Sequence, residues 1–349
     1  MAQFTVIGGG IIGASTAYHL IRRGHEVTVY DRNDRGNATS ASAGIINPWV
    51  SQRRNKKWYR LVTKAAKYYP DFIKQLEEET NAETGYIRRG SISLFKDDDV
   101  QALAFNRISK KKTDAPEMGE VKMLSRDEIK AYHPHLSDKY SGVYVEGGAQ
   151  VKGALLRDAL KTAFIKAGGT WLEENAPATT EGMTIYATGA WGSEQGFEPA
   201  VTHQRSEVLH FKVEETEVVK TPVVMALGPI YIVEMGENEF AVGTTHQKTE
   251  SYDDSPSEEN YQYLRGLAER YFPDSQLTDI RMMVGFKPYT RDFLPFIGHV
   301  DDNTFVINGA GATGLTAGPI IGHEVAEFLS GEATDLDLSD YSYIEPENN

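Results

Sequence analysis

The sequence predicts an α/β protein in which a parallel sheet flanked by helices carries an interleaved antiparallel sheet. Three observations lead there. Residues 4–7 form a short apolar run that passes through glycines at 8, 10 and 13 into a helical pattern. Residues 305–307 do the same through Gly309, Gly311 and Gly314. Between them, positions 201–245 break into short β-like runs separated by turn residues, the texture of an antiparallel sheet.

The elements follow in order. A strand at 4–7, a helix at 14–23 and a strand at 26–30 make a βαβ opening. Residues 58–76 repeat Leu61, Ala65, Tyr68, Tyr69, Phe72, Ile73 and Leu76 at three- and four-residue spacing, which predicts an amphipathic helix. Residues 90–95 alternate as a strand, 97–132 read as helical and polar, and 153–167 form a helix closed by Gly168 and Gly169. Strands are expected at 201–213, 222–225, 230–235 and 240–245, a helix at 256–271, and strands at 281–287 and 305–307. The acidic residues 335–349 read as a frayed tail. The expected division is 1–45, 142–198 and 282–334 for one domain, with 46–141 and 199–281 for the second.

Composition narrows the function. A chain of 349 residues exceeds one compact core, and 40% hydrophobic with 25% charged residues fits an ordinary globular enzyme. The net charge of −14 repels phosphodiester backbones, so no nucleic-acid partner is expected. The basic run at 110–112 reads as a solvated helix face. With no cysteine, disulfides, thiolate metal sites and a cysteine nucleophile are excluded. The histidines show no metal-ligand spacing, and no metal is expected. No apolar run approaches the roughly 18 residues a membrane span needs, and 4–21 lacks the basic flank of a signal peptide. A cytoplasmic protein with no integral membrane segment is the expectation.

Gly8, Gly10 and Gly13 have G-x-G-x-x-G spacing, which allows a tight turn, close approach to a pyrophosphate and close helix-to-strand packing. Asp31 lies at the end of the next strand, where a carboxylate accepts from a ribose hydroxyl. Arg32 beside it is compatible with a 2′-phosphate, although the preceding acid opposes that choice. Thr39, Ser40 and Gly44 belong to a small-residue loop suited to a second approach. A single nucleotide needs only the first glycine turn. The second, about 300 residues later, suggests a cofactor long enough to touch both, and FAD, bound non-covalently, is the natural choice in a Rossmann-like domain. A link to cysteine is excluded.

Seven strings in order carry a wider resemblance: VIGGGIIG (6–13), TSASAG (39–44), ATGAW (187–191), YIV (231–233), VGTT (242–245), GFKPYT with LPFIG (285–298) and GAGATGL (309–315). Over residues 3–331 the chain resembles the D-amino-acid oxidase superfamily of FAD enzymes, in its glycine oxidase, sarcosine oxidase and D-amino-acid dehydrogenase branch. The resemblance implies FAD contacts from Gly8, Gly10, Ile11, Ile12, Gly13, Asp31, Arg32, Thr39, Ser40, Ala43, Gly44 and Ile45. It extends them to Ala176, Thr188, Gly189 and Trp191, and to Gly309, Gly311, Ala312, Thr313, Gly314 and Leu315.

For the substrate, the resemblance implies that Lys287 holds an amino-acid carboxylate where relatives normally place an arginine. It implies that Tyr231 adds a hydroxyl and that His246 faces the substrate or handles its amine proton. Arg53 and Arg54 resemble arginines near the flavin. The chain departs from the pattern in three places: Ala312 replaces a family arginine, no lysine stands near Ala241 to activate oxygen, and 176–188 is too short for the usual β-meander.

The implied activity is oxidation of the C–N bond of a small amino acid, of the glycine, D-amino-acid or N-methylglycine type. Hydride passes to flavin N5 and the resulting imine hydrolyses to a keto acid. Oxygen or an unknown carrier is the expected acceptor, and self-association into a homo-oligomer stays open. The alternatives are a dehydrogenase of 2-hydroxy acids or other amines using a non-oxygen acceptor, a nicotinamide-binding protein, and an FAD-binding protein with impaired catalysis.

Overall fold

The computed structural model describes residues 1–342. Its first sheet has six strands in the order Phe296–Asp301, Thr304–Asn308, Met183–Tyr186, Gln3–Ile7, Glu26–Tyr30, Thr170–Leu172. All pairings are parallel except the edge pair of Phe296–Asp301 with Thr304–Asn308. Phe4, Val6, Val29, Ile185 and Ile307 pack here against Ala17, Leu20, Leu61, Ile321 and Val325 from the covering helices. Near-continuous apolar strands with helical cover are the mark of a parallel sheet buried on both faces.

The second sheet has nine strands. Its path runs Gln247–Thr249, Thr202–Val213, Glu239–Gly243, Tyr231–Gly236, Val223–Met225, Ser91–Phe95, Ser141–Val145, Val121–Leu124, and Leu277–Tyr289 pairs along the other side of Thr202–Val213. It is antiparallel apart from the parallel pair Val223–Met225 with Ser91–Phe95. Ile45–Ile46 and Ala149–Gln150 form a small ribbon between the sheets.

The long helix is Lys56–Thr80, capped by the Asn55 side chain accepting from the Trp58 N–H at 3.0 Å and ended at Asn81 with φ 54°. Its stripe of Trp58, Leu61, Val62 and Ala65 joins the core of the first sheet, so this segment packs with the domain it was expected to leave. The boundaries expected at 142 and 282 fall inside Ser141–Val145 and Leu277–Tyr289, both strands of the second sheet. The polar stretch 97–132 hides a strand, Val121–Leu124, whose Val121 and Leu124 sit among charged neighbours that mask its pattern.

The tail is not frayed where it is described. Leu336, Leu338 and Tyr341 are buried, the Leu336 N–H donates to Glu324 Oε2 at 2.9 Å, and the Tyr341 hydroxyl donates to the Lys57 carbonyl at 3.0 Å. Three apolar side chains spaced among acids suffice to dock the segment, which average polarity conceals. Residues 343–349 of that expectation lie outside the described residues. Among the described residues no helix is long and apolar enough to cross a membrane.

Candidate active site

The first glycine turn is a close three-way contact. Gly8 has φ +102°, and a Cβ there would stand 2.4 Å from the Ala187 carbonyl oxygen. A Cβ on Gly13 would stand 1.9 Å from the Gly8 oxygen, so the helix Ile11–Arg22 starts directly against the strand end only because both positions are bare. The Ile11 N–H donates to Thr39 Oγ1 at 3.0 Å, while the next N–H groups of this first turn have no acceptor within the helix. A Cβ at Gly9 would approach Asp31 Oδ2 to 2.7 Å, which sets that carboxylate over the turn.

These residues line a cavity of about 360 Å³. Gly8, Gly10, Ile11, Ile12, Asp31, Arg32, Thr39, Ala176, Thr188, Gly189, Trp191, Gly311 and Gly314 all reach its wall. Arg32 pairs with Asp34 and Glu194, each at 2.8 Å, so its charge is already matched by protein carboxylates. Trp191 stacks on Tyr252 with ring centroids 5.4 Å apart.

A second cavity of about 350 Å³ shares Ile11, Ala38, Thr39, Gly311 and Gly314 with the first, so the two meet where both glycine turns begin their helices. Ala43, Gly44 and Ile45 form one side; Ala312, Thr313, Gly314 and Leu315, at the start of the helix Gly314–Leu329, form another. The third is one face of the antiparallel sheet. Ser206 pairs with Gly285 and Gln204 with Lys287, and the two-residue alternation brings Ser206, Val208, Gly285 and Lys287 to the same cavity. Met225, Tyr231, Thr244 and His246 complete this side.

Lys287 is half-buried and makes no hydrogen bond or ion pair among the described residues; burial lowers its pKa to about 8. Burial also pushes the Tyr231 phenol up, which keeps it a hydroxyl donor at neutral pH. His246 stands exposed at the rim, its pKa lowered first by desolvation and then by the charge of Lys287. Among the described residues no aspartate or glutamate lines this cavity.

Lys287, Tyr231 and His246 are therefore brought together. Gly13, Ser40 and Gly309 do not reach either cavity. Gly13 acts by packing, the Ser40 N–H closes a turn onto Asn37 Oδ1 at 3.0 Å, and Gly309 lies against Thr290. Arg53 and Arg54 line a separate groove; Arg53 donates to the Phe293 carbonyl at 2.7 Å and stacks over Trp58. The 173–182 stretch carries no strand, so a single strand, Met183–Tyr186, stands where a meander was expected to be cut short.

Sequence reasoning missed Asn47, Trp58 and Ser206. All three line the second cavity, are buried, and hold polar atoms without a partner: both ends of the Asn47 amide, Trp58 Nε1 and Ser206 Oγ. Only Ser206 had a signal, its place two residues before Val208 in an alternating strand. Orphaned buried polar atoms of this kind call for a bound polar group. With a glycine turn and strand-end acid in one cavity, and bare loops, orphan donors and a helix start in the next, the residues fit an extended dinucleotide.

Fold and site together define a dinucleotide-dependent oxidoreductase. The chain belongs to the FAD dependent oxidoreductase (DAO) family, whose model matches residues 3–328, and its cofactor is FAD. It is 37% identical to an uncharacterized oxidoreductase, YurR, of Bacillus subtilis (strain 168), over 98% of both chains. Among solved structures it is similar to iminodiacetate oxidase (IdaA) from Chelativorans sp. BNC1, with TM-score 0.92 and 30% identity over 97% of this chain and 98% of that one. Glycine oxidase from Geobacillus kaustophilus shares the fold with TM-score 0.84, at 23% identity over 99% and 100%.

Proposed function

We propose that the protein oxidises the C–N bond of a small amino acid or N-substituted glycine, with Lys287 holding the substrate carboxylate. The observation that carries this reading is an ammonium that, among the described residues, has no partner and stands in the wall of a cavity lined by no acid. The match to iminodiacetate oxidase supports an N-substituted glycine.

The first-turn N–H groups after Gly10 would hold the pyrophosphate of FAD, and Asp31 would hold a ribose. Ala176, Thr188 and Gly189 line the adenosine side. Thr39, Ala43, Gly44, Ile45 and residues 311–315, which line the second cavity, would enclose the flavin. FAD, when bound, would supply a two-electron acceptor for the hydride on the carbon next to nitrogen. The chain's own residues position and stabilise. Lys287 pairs with the carboxylate, the Tyr231 hydroxyl donates to it, and the start of the helix Gly314–Leu329 places partial positive charge at the cavity wall. The substrate loses its hydride and the nitrogen its proton; water then adds across the C=N bond and releases an amine and a 2-oxo acid.

The products test this. Anaerobic turnover of sarcosine should give methylamine and glyoxylate in equal amounts, matching the FAD reduced. Flavin reduction by any amino acid without a 2-oxo acid product would overturn the proposal.

A further inference from the structure

The second cavity is unbalanced in charge. Its lining contains two basic side chains, Lys287 and His246, and no acid among the described residues, in a protein of net charge −14. Neither base has a hydrogen-bonding or ionic partner among the described residues, whereas Arg32 and Arg157, the cations lining the first cavity, are both paired with carboxylates. Burying the Lys287 ammonium without a counter-charge is unfavourable unless a ligand provides it, and exposed His246 adds a free hydrogen-bonding ring at the rim.

The sheet sets the two apart. Lys287 lies opposite Gln204 on one side of the strand Thr202–Val213, and Gln247, the neighbour of His246, lies opposite Arg205 on the other. Two strand spacings separate their backbones, on the order of 10 Å. Side chains converging across that span can grip opposite ends of one short molecule.

We propose that the substrate is a dianionic amino acid, and that His246 binds the second carboxylate while Lys287 binds the first. This rests on the C–N oxidation reading and adds a substrate class and a specificity residue to it. The exposed rim position of His246 suits a substrate whose second anion points towards the mouth. Its pKa is lowered first by desolvation and then by the charge of Lys287, and an anion placed between the two relieves that second, repulsive part. The second carboxylate sits either on the nitrogen substituent or on the side chain.

The test uses the FAD-loaded enzyme and measures kcat/KM for flavin reduction in two matched pairs: iminodiacetate against sarcosine, and D-aspartate against D-alanine. The dicarboxylate of one pair should win by about tenfold or more, the worth of one charge-assisted hydrogen bond, and the winning pair shows where the second carboxylate sits. In His246→Leu that ratio should collapse towards one; in His246→Lys it should persist. A ratio at or below one in both pairs, with sarcosine or D-alanine still reducing the flavin, overturns the inference and leaves the C–N reading standing. A high ratio untouched by His246→Leu overturns the role of His246. If no amino acid reduces the flavin, the C–N reading itself fails and the inference falls with it.

Discussion

Replacing Lys287 by methionine should move stability and substrate binding in opposite directions. An unpaired ammonium whose pKa falls from 10.5 to about 8 is a cost to the fold at pH 7, at most about 3 kcal/mol and less because the side chain is only half-buried. The sign follows from linkage: the native state holds this proton less tightly than the unfolded chain, so the cost is full below pH 8 and fades between pH 8 and 10.5. Methionine keeps the stem's packing and removes the charge. The melting temperature at pH 7 should therefore rise by a few degrees, reflecting about 1–3 kcal/mol. The same variant loses the hydrogen bond to a carboxylate, worth about 1.5–3 kcal/mol, which raises KM by roughly 10- to 150-fold. Lys287→Arg separates charge from titration. In the native enzyme carboxylate binding should weaken about tenfold from pH 7 to pH 9, while the arginine variant should not show this step. Melting curves with KM at pH 7, 8 and 9 decide it. A methionine variant with lower melting temperature and unchanged KM would refute the assignment.

Other perturbations read the frame. Gly13→Ala drives a Cβ to 1.9 Å from the Gly8 carbonyl oxygen, so the helix must leave the strand end at a strain of about 1–3 kcal/mol; FAD should be lost on gel filtration, and full retention would contradict the packing role. His133 is buried between Phe240 and Phe272 with both ring nitrogens unpaired, and desolvation lowers its pKa to about 3. The unfolded chain takes up a proton below about pH 6.5 that the native state refuses, so this residue removes up to about 1.4 kcal/mol per pH unit between 6.5 and 3. His133→Leu should flatten that slope in urea titrations, and an unchanged slope would contradict it. Leu336→Ala removes a side chain buried to 1% exposure and should cost about 2–5 kcal/mol in a melt, whereas a loose tail would show almost no loss.

In the first sheet Gln3–Ile7, Glu26–Tyr30 and Thr304–Asn308 were legible from β-rich runs beside glycine turns of fixed spacing, whereas Thr170–Leu172, Met183–Tyr186 and Phe296–Asp301 were not. The second sheet was legible in its central strands, where alternation is strong. Val121–Leu124 escaped, since a four-residue edge strand with a lysine inside it and an exposed methionine has little periodic signal. The limits expected at 142 and 282 fall inside the strands Ser141–Val145 and Leu277–Tyr289 of the second sheet, because nothing in composition changes there. In the site, Lys287 and Tyr231 could be named because each lies in a string that resembles the family. Asn47 and Trp58 could not: a buried amide and an indole reveal themselves only when their missing partners are seen in space. The position of His246 across the cavity from Lys287 likewise depends on register across three strands, which no linear pattern records.

The central claim is that an amino-acid substrate, anchored by Lys287, delivers its electrons to FAD in the second cavity. Anaerobic addition of a panel of N-substituted glycines and D-amino acids to the purified protein, followed by its visible flavin band, tests this most directly. At least one member should bleach the band, and Lys287→Met should demand a much higher concentration of the same compound. A flavin band that stays unchanged with every carboxylate-bearing amine, while a hydroxy acid bleaches it, would contradict the account.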